Sequence, residues 1–264
     1  YKLVDILQQR KDEYAFQMTR EMGKPIFETR GDVQEGIDTA MYAVGEGYRM
    51  FGKTVPSELP NKFNMTTRFP IGVAGLITPW NFPMAIPTWK IFPALMCGNT
   101  VIIKPAELTP LSVWNLVNAI LDAGFPPEVI NVVFGSGSKV GNAIVEHPDA
   151  NLISFTGSSA VGREIGSKAS GMLKRVSMEL GGKNCTLIMD DADLDLAVDA
   201  CDGEDQRGGS GGRCLGALAQ ARQRAAELDR HGGQRDSRRA DPPRRQGQRQ
   251  AHRVETRRQL RIPR

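Results

Sequence analysis

The spacing of apolar residues divides the first part of the chain into a long helical region and a region of turns. Over residues 1–50 apolar side chains recur every few positions, which predicts helix throughout with one buried face. Residues 52–70 lose this period and contain Pro and Asn residues, which indicates turns. The apolar positions that carry the helical pattern include Leu3, Ile6, Leu7, Tyr14 and Phe16.

From residue 71 onwards, short apolar runs alternate with stretches of helical period. The predicted strands cover residues 73–78, 100–104, 130–134, 152–155, 175–180 and 186–189. The predicted helices cover residues 84–96, 110–123, 139–146, 160–170 and 194–200. This alternation is typical of βαβ units, so we expect an α/β fold with an open, mostly parallel sheet. Ligands of such sheets bind at the carboxyl ends of the strands, where the candidate motifs of this chain lie.

A change in composition near residue 200 predicts two regions. No lysine follows Lys183, and no aromatic residue follows Phe155. Residues 201–264 consist largely of Arg, Gly, Gln, Ala and Asp, with few large apolar side chains. Such a stretch cannot bury enough apolar surface to offset its chain entropy. We therefore expect one folded domain over residues 1–200 and a disordered tail over residues 201–264.

Cysteine usage and charge argue against several classes of function. The cysteines lack metal-ligand spacing and the histidines are scattered, so no metal site is expected. The residues printed first do not show a basic n-region followed by an apolar h-region, and no apolar run approaches the roughly 18 residues that span a bilayer, so no membrane partner is expected. A reducing cytoplasm with free thiols is the expected location. Nucleic-acid binding by the Arg-rich tail is disfavoured because Asp and Glu are interspersed and aromatic residues are absent.

Two glycine-containing segments each connect a predicted strand to a predicted helix. Gly135, Gly137 and Gly141 resemble a dinucleotide-binding fingerprint without matching it, and an ordinary turn fits equally well. Residues 155–162 (FTGSSAVG) combine two hydroxyl caps with two glycines. For that segment, a well-capped helix is the alternative to a phosphate-binding site.

Three further segments place polar side chains at predicted strand ends. Lys104 and Glu107 flank a short Pro-Ala step, where they can grip ribose hydroxyls or form an exposed salt-bridged loop. Asn81 lies among prolines and aromatic residues, where its NH₂ group is expected to have a partner; a turn cap is the alternative. Glu179 precedes a Leu-Gly-Gly turn and is either a base or a carboxylate that caps the turn.

The motifs PWNF, KPAE, FTGS and ELGGK, in this order, resemble those of the NAD(P)-dependent aldehyde dehydrogenase superfamily, and the resemblance covers residues 1–200. It implies a Rossmann-like cofactor domain, here with an incomplete N-terminal part. It also implies oxidation of an aldehyde to a carboxylic acid through a cysteine thiohemiacetal and thioester. Asn81 would then belong to the oxyanion hole, and Glu179 would activate the water that hydrolyses the thioester.

The resemblance also implies which residues bind the cofactor. Lys104 and Glu107 would hold the adenine-side ribose, and the Glu107 charge would repel the 2′-phosphate of NADP, so NAD is the preferred cofactor. The substrate would be a small-molecule aldehyde, either aliphatic or a semialdehyde. Family members form homo-oligomers through a C-terminal arm, which this chain is expected to lack. The full set of implied cofactor-binding residues is Thr78, Pro79, Trp80, Asn81, Lys104, Ala106, Glu107, Gly137, Gly141, Phe155, Thr156, Gly157, Ser158, Val161, Gly162 and Leu180.

The identity of the nucleophile decides whether this chain is expected to be active. Cys214 is the candidate thiolate, but it lies one residue later than the resemblance implies and in a changed sequence context. The alternatives are a chance cysteine and a shifted reading frame just before Cys201, and the frameshift is preferred. Cys97 and Cys185 are expected to pack in the core. We therefore expect impaired aldehyde oxidation by this chain, with a non-catalytic NAD-binding fragment as the alternative.

Overall fold

The computed structural model describes residues 1–182, 187–189, 192–193 and 195–198. The chain divides into two compact units, Tyr1–Asn184 and Cys185–Arg264. In the second unit, residues 195–198 are helical, as predicted for part of the 194–200 segment. Residues 187–189 form no strand, so the strand prediction is wrong over these positions. The predicted domain boundary after residue 200 and the predicted disordered tail lie outside the described residues.

The first unit opens with separate helices where the sequence predicted one continuous helix. They are α1 (Lys2–Gln9), α2 (Lys11–Met22) and α3 (Ile26–Gly47). The break after α2 has a local cause, because Gly23 adopts a left-handed conformation with φ of 76° and ends the helix. Pro25 follows at the start of α3, where its missing N–H group costs nothing.

The buried face of these helices differs from the predicted one at one aromatic residue. Leu3, Leu7 and Tyr14 are buried, but Phe16 is 57% exposed. Successive residues of an α-helix are rotated by about 100°, so Phe16 lies about 200° around α2 from Tyr14. The sequence pattern therefore assigned Phe16 to the wrong side of the helix.

A short hairpin lies within the region that the sequence assigned to turns. β1 (Thr54–Val55) pairs with β2 (Asn64–Met65) in antiparallel orientation, and all of these residues are exposed. Strands of this length produce no detectable alternation of apolar and polar residues, which is why the hairpin was missed.

A five-stranded parallel sheet forms the centre of the first unit and confirms the predicted α/β class. β5 is shorter than predicted and β6 is longer. The strands, in chain order, are β3 (Val73–Ile77), β4 (Thr100–Lys104), β5 (Ile130–Val132), β6 (Ala150–Thr156) and β7 (Arg175–Glu179).

Helices cover both faces of this sheet. The predicted helix over residues 139–146 begins instead as a π-helical turn at Gly137–Gly141 and then continues as an α-helix. A 3₁₀ turn at Pro127–Val129 precedes β5. The α-helices between the strands are α4 (Ala85–Met96), α5 (Pro110–Asp122), α6 (Asn142–Glu146) and α7 (Ser159–Gly171).

The direction of winding reverses between β3 and β6. The strand order is β5-β4-β3-β6-β7, so the chain proceeds from β3 to one edge and then crosses to the other side. Residues of α4 and α5 pack into one hydrophobic cluster, and those of α6 and α7 pack into another. The loops that leave β3 and β6 therefore diverge and open a crevice at the carboxyl edge of the sheet.

Candidate cofactor and active site

Two buried threonine hydroxyls mark the crevice between β3 and β6. Ile77 pairs with Phe155 in the sheet, so Thr78 and Thr156 lie side by side at the carboxyl edge. The Oγ1 atoms of both threonines are buried, and no described residue forms a hydrogen bond with either atom. A buried polar group without a partner costs about 1–3 kcal/mol. Polar groups of a bound ligand would remove that cost.

The start of α7 lies at the same edge and is suited to an anion. Ser158 is the N-cap residue, and its Oγ accepts a hydrogen bond from the Val161 N–H group at 3.4 Å. The other N–H groups of the first helical turn have no acceptor within the helix, and they carry the positive end of the helix dipole. The Gly157 N–H group instead donates to the Glu179 carbonyl at 3.1 Å, which joins this loop to the end of β7.

The two glycines of this segment lie in close contact with neighbouring side chains. A Cβ atom on Gly157 would lie 2.5 Å from Cζ of the Phe155 ring, and one on Gly162 would lie 2.2 Å from Cδ2 of Leu180. The structure thus brings Leu180, another residue that the resemblance implied, against the first turn of α7. Larger residues at either glycine would displace these side chains.

Lys104 ends β4 in a buried position. Its ammonium donates to the carbonyls of Pro105 at 2.7 Å and Gly135 at 3.1 Å, and the residue is 4% exposed. Burial lowers the pKa of Lys104, and the charge of Glu107 opposes that shift. The alternative of an exposed salt-bridged loop is therefore wrong for Lys104, although Glu107 itself is exposed.

A largely apolar groove of about 470 Å³ begins at Pro105, the residue after Lys104, and includes Glu107. Trp114 of α5 and Phe134 both line this groove, and their rings form a tilted pair with centroids 6.3 Å apart. Sequence reasoning missed both aromatic residues, although an aromatic residue one helical turn after Pro110 was an available signal. The lining consists of Pro105, Ala106, Glu107, Pro110, Leu111, Trp114, Phe134 and Gly135.

In the loop after β5, the residue that must be glycine for steric reasons is neither of the two glycines that the resemblance implied. Gly135 has φ of 142°, and a Cβ atom there would lie 2.6 Å from Cγ2 of Val140. By contrast, no heavy atom lies within 4 Å of a Cβ built on Gly137, and a Cβ on Gly141 would meet only ordinary contacts at 3.8 and 3.9 Å. Close approach of the backbone therefore demands Gly135, while Gly137 and Gly141 tolerate a methyl group.

The loop after β3 holds Asn81. The Oδ1 atom of Asn81 is buried without a partner among the described residues, and its main-chain carbonyl accepts from Lys24 Nζ at 3.1 Å. The sequence predicted a partner for the NH₂ group, but the described residues supply no hydrogen bond to it, and the amide oxygen is buried without a partner. Trp80, next to Asn81, is 55% exposed, and Pro79 is half-buried.

Glu179 ends β7, and a lysine that sequence reasoning missed has its charge near this carboxylate. Glu179 is exposed. The Lys90 ammonium donates to Ser154 Oγ at 2.8 Å. Burial lowers the pKa of Lys90 to about 8, and the opposite charge of Glu179 acts against that shift. The available sequence signal was a lysine in segment 85–96, which is otherwise uncharged and mostly apolar.

The proposed nucleophile cannot be placed beside these groups, because Cys214 lies outside the described residues, as do Cys185 and Cys201. Cys97 is half-buried at the end of α4, with Sγ 3.7 Å from Sδ of Met50, so it packs at the edge of the fold and not in the core as predicted. Within the described ranges, His, Cys, Asp and Glu side chains form no cluster suited to a metal ion. In the same ranges no helix has the length and apolar character needed to cross a membrane.

Comparison with known proteins gives the same assignment by sequence and by structure. The model of the aldehyde dehydrogenase family matches residues 1–217. Alpha-ketoglutaric semialdehyde dehydrogenase of Bacillus subtilis is 46% identical over 200 residues, which are 76% of this chain and 41% of that enzyme. The crystal structure of an NAD-dependent aldehyde dehydrogenase from Sinorhizobium meliloti superposes with a TM-score of 0.73 at 38% identity, over 76% of this chain and 40% of that one.

An E. coli NADP-dependent enzyme superposes with a TM-score of 0.77 at 35% identity, over 85% of this chain and 49% of that one. The chain thus spans less than half the length of each of these three relatives. The matched region contains β3–β7, the threonine pair at their carboxyl edge and the four motifs, and on this match the chain belongs to the aldehyde dehydrogenase family.

Proposed function

We propose that the first unit binds NAD at the carboxyl edge of its sheet and contributes an oxyanion donor and a base to the oxidation of an aldehyde to a carboxylic acid. The observation that carries this proposal is a set of buried oxygens without partners at the ends of β3 and β6. They are Thr78 Oγ1, Thr156 Oγ1 and Asn81 Oδ1. A ligand could form hydrogen bonds with these oxygens through its own hydroxyl groups and through water molecules bound to its phosphates.

The pyrophosphate would lie at the start of α7. The free N–H groups of that helical turn and its dipole favour an anion, and Ser158 already satisfies the Val161 N–H group. Gly157 and Gly162 leave room for the close packing of Phe155 and Leu180 around this turn. Phosphate binding at this point therefore uses the main chain more than charged side chains.

The adenosine part would lie in the groove between α5 and the loop after β5. The apolar walls formed by Leu111, Trp114 and Phe134 suit an adenine ring. An ammonium group carries three donors, and Lys104 uses two on carbonyls, so one remains for a ribose hydroxyl. The exposed Glu107 carboxylate would accept from the other ribose hydroxyl and would repel a 2′-phosphate, which favours NAD over NADP.

The chemistry assigned to this unit is electrostatic and acid–base. The Asn81 amide would donate a hydrogen bond to the oxygen that becomes negative when a thiolate attacks the aldehyde carbon. Glu179 would take a proton from the water that attacks the resulting thioester. When bound, NAD supplies the acceptor for the hydride that leaves the former aldehyde carbon. Cys214 is the proposed thiolate, and a reduced thiol fits a cytoplasmic location.

The substrate class is proposed from the relatives. The Bacillus subtilis relative is named for a semialdehyde, so an aldehyde that also carries a carboxylate belongs in the first panel beside simple aliphatic aldehydes. Turnover of the two kinds of aldehyde distinguishes these classes. Binding of a carboxylate requires a positively charged group of the protein, whereas binding of an aliphatic chain does not.

The experiment is a calorimetric titration of the 264-residue chain with NAD, compared with Thr156→Val and with Thr109→Val as the matched control. Both substitutions remove a buried hydroxyl that has no partner among the described residues. Both variants should therefore be at least as stable as the wild type without ligand. Only Thr156→Val should bind NAD more weakly, because Thr156 lies at the crevice, whereas the buried Thr109 lines neither the crevice nor the groove proposed for adenosine.

Turnover is measured in parallel as NAD reduction with the aldehyde panel, with Cys214→Ala as the control. Turnover that is lost in Cys214→Ala supports the complete reaction. NAD binding without turnover supports the alternative of a non-catalytic cofactor-binding fragment. Equal NAD affinity of Thr156→Val and the wild type, or no binding at all, contradicts the proposed site.

A further inference from the structure

Lys24 lies in the break between α2 and α3, far along the chain from the candidate site, and yet its ammonium contacts the Asn81 loop. The side chain is 9% exposed. Its Nζ donates to the main-chain carbonyl of Asn81 at 3.1 Å and lies 3.7 Å from the centroid of the Phe82 ring. The ammonium therefore fixes the carbonyl of one loop residue and the ring of the next.

Asp32 of α3 completes the arrangement from the other end of the loop. Its Oδ1 accepts from the Ala85 N–H group at 2.7 Å, and its Oδ2 lies 3.6 Å from Lys24 Nζ. Ala85 is the first residue of α4, so this carboxylate also lies at a favourable helix N-terminus. Burial raises the pKa of Asp32 to about 6, while the Ala85 N–H group and Lys24 act in the opposite direction and favour the carboxylate.

The ion pair thus holds residues 81–85 at both ends. Stability alone is a weak explanation for it, because a buried ion pair is often no more stabilising than apolar side chains of similar volume. The Asp32 side chain has no solvent exposure, and its Oδ2 has no hydrogen-bond partner among the described residues. A pair of this kind is better explained by the conformation that it imposes on the loop.

We propose that Lys24 and Asp32 are positioning residues that fix the main chain of residues 81–85, so that the Asn81 amide is held at the mouth of the crevice. This inference rests on the proposed function only for the role that the Asn81 amide has in the reaction. The positioning itself is a property of the protein without ligand. It is therefore tested without substrate or cofactor.

The test is nuclear magnetic resonance of the ¹⁵N-labelled chain, observing the side-chain NH₂ of Asn81 and the main-chain amides of residues 81–85. Lys24→Met should shift or broaden these signals, because the carbonyl of Asn81 loses its donor. Lys24→Arg should restore them, because a guanidinium donates to a carbonyl and stacks on an aromatic ring. The matched control is Lys11→Met, which removes a lysine bond to Gln34 of 2.7 Å between α2 and α3 and should leave the Asn81 signals unchanged.

Asp32→Asn keeps an acceptor for the Ala85 N–H group but removes the charge that holds Lys24. It should therefore shift the Asn81 signals while the chain stays folded, and it decides the question if Lys24→Met does not fold. Wild-type Asn81 signals in a folded Lys24→Met variant, or in Asp32→Asn if the first variant is unfolded, would overturn the proposal.

An AMP titration of the same samples separates this inference from the proposed function. Lys24→Met should bind AMP with the wild-type affinity, because Lys24 lies at the Asn81 loop and not at the adenosine groove. A wild-type chain that binds no AMP would count against the proposed cofactor site. That result would not change the outcome of the magnetic resonance test of Lys24.

Discussion

At the scale of single residues, Lys90 has the most informative environment. It is the charged residue of α4, and burial lowers its pKa to about 8 while Glu179 acts in the opposite direction. We predict that the ¹³Cε signal of Lys90 titrates near that value. Glu179→Gln should lower the midpoint further, because it removes a negative charge that favours the ammonium. Glu164→Gln, which removes one of the two carboxylate partners of Lys168, should leave the Lys90 midpoint unchanged. An equal shift in both variants would refute a specific Glu179 effect.

Asp32 makes a second prediction, about stability and pH. Its pKa is raised from 3.8 to about 6, so between these values the folded protein holds a proton that the unfolded chain has lost. The contribution of Asp32 to wild-type stability therefore falls as pH rises through this window. The Asp32→Asn variant has no carboxyl group at this position, so its stability does not fall for this reason. At 1.36 kcal/mol per pKa unit, the free energy of unfolding of the variant should rise relative to wild type by about 2–3 kcal/mol from pH 4 to pH 7.

Urea denaturation at a series of pH values measures this difference. A difference that stays constant from pH 4 to pH 7 would mean that the Asp32 carboxyl does not titrate in this window. Lys24→Met supplies a check, because loss of the nearby positive charge should raise the pKa of Asp32.

At the scale of elements, the turn that leads into α7 depends on glycine more than the middle of the helix does. A Cβ atom on Gly157 meets the buried Phe155 ring at 2.5 Å, whereas one on Gly166 meets only Met178 Cε at 3.9 Å. Gly157→Ala should therefore destabilise the fold by about 1–3 kcal/mol through overpacking. Gly166→Ala should stabilise it by up to about 1 kcal/mol, because alanine has the higher helix propensity. Thermal unfolding of the two variants measures both effects, and a loss of equal size in both would contradict the packing argument.

The loop after β4 makes a prediction about cofactor choice. Glu107 is exposed on the rim of the groove that we propose for adenosine, where its negative charge would oppose a 2′-phosphate. Glu107→Gln should narrow the difference between the dissociation constants of NADP and NAD. Glu128→Gln, in the exposed turn before β5, serves as the charge-matched control and should leave that difference unchanged. If the ratio of the NADP and NAD dissociation constants is the same in Glu107→Gln as in the wild type, Glu107 does not determine the choice of cofactor.

At the scale of the whole first unit, protection should decrease from the centre of the sheet to its β7 edge. β3 has neighbours on both sides, whereas β7 pairs only with β6 among the described strands and is mostly exposed. We predict that amides of Val176 and Met178 exchange with deuterium faster than those of Ile153 and Phe155. Equal protection of β7 and β6 would indicate that something else covers the β7 edge.

Local patterns accounted for most of the fold. Apolar runs and helical periods located β3, β4, α4, α5 and α7 to within a few residues, because strand and helix are decided largely by side chains close in sequence. Errors occurred where one residue overrode the average, as at Gly23, or where an element was very short, as at β1 and β2. Phe16 was misplaced because a helical period alone leaves the exact face uncertain by a residue or two.

The sequence by itself determined the class of the fold, the family and the segments that contain the candidate site, since all of these depend on short motifs and their order. Only the tertiary structure decided which atoms meet. Strand order brought Thr78 beside Thr156, and helix packing brought Lys24 to the carbonyl of Asn81 across 57 positions of sequence. The groove at Trp114 and the partial burial of Lys90 were decided in the same way. Burial, lost hydration and hydrogen-bond satisfaction arise from contacts between distant residues, and no local pattern of the chain encodes them.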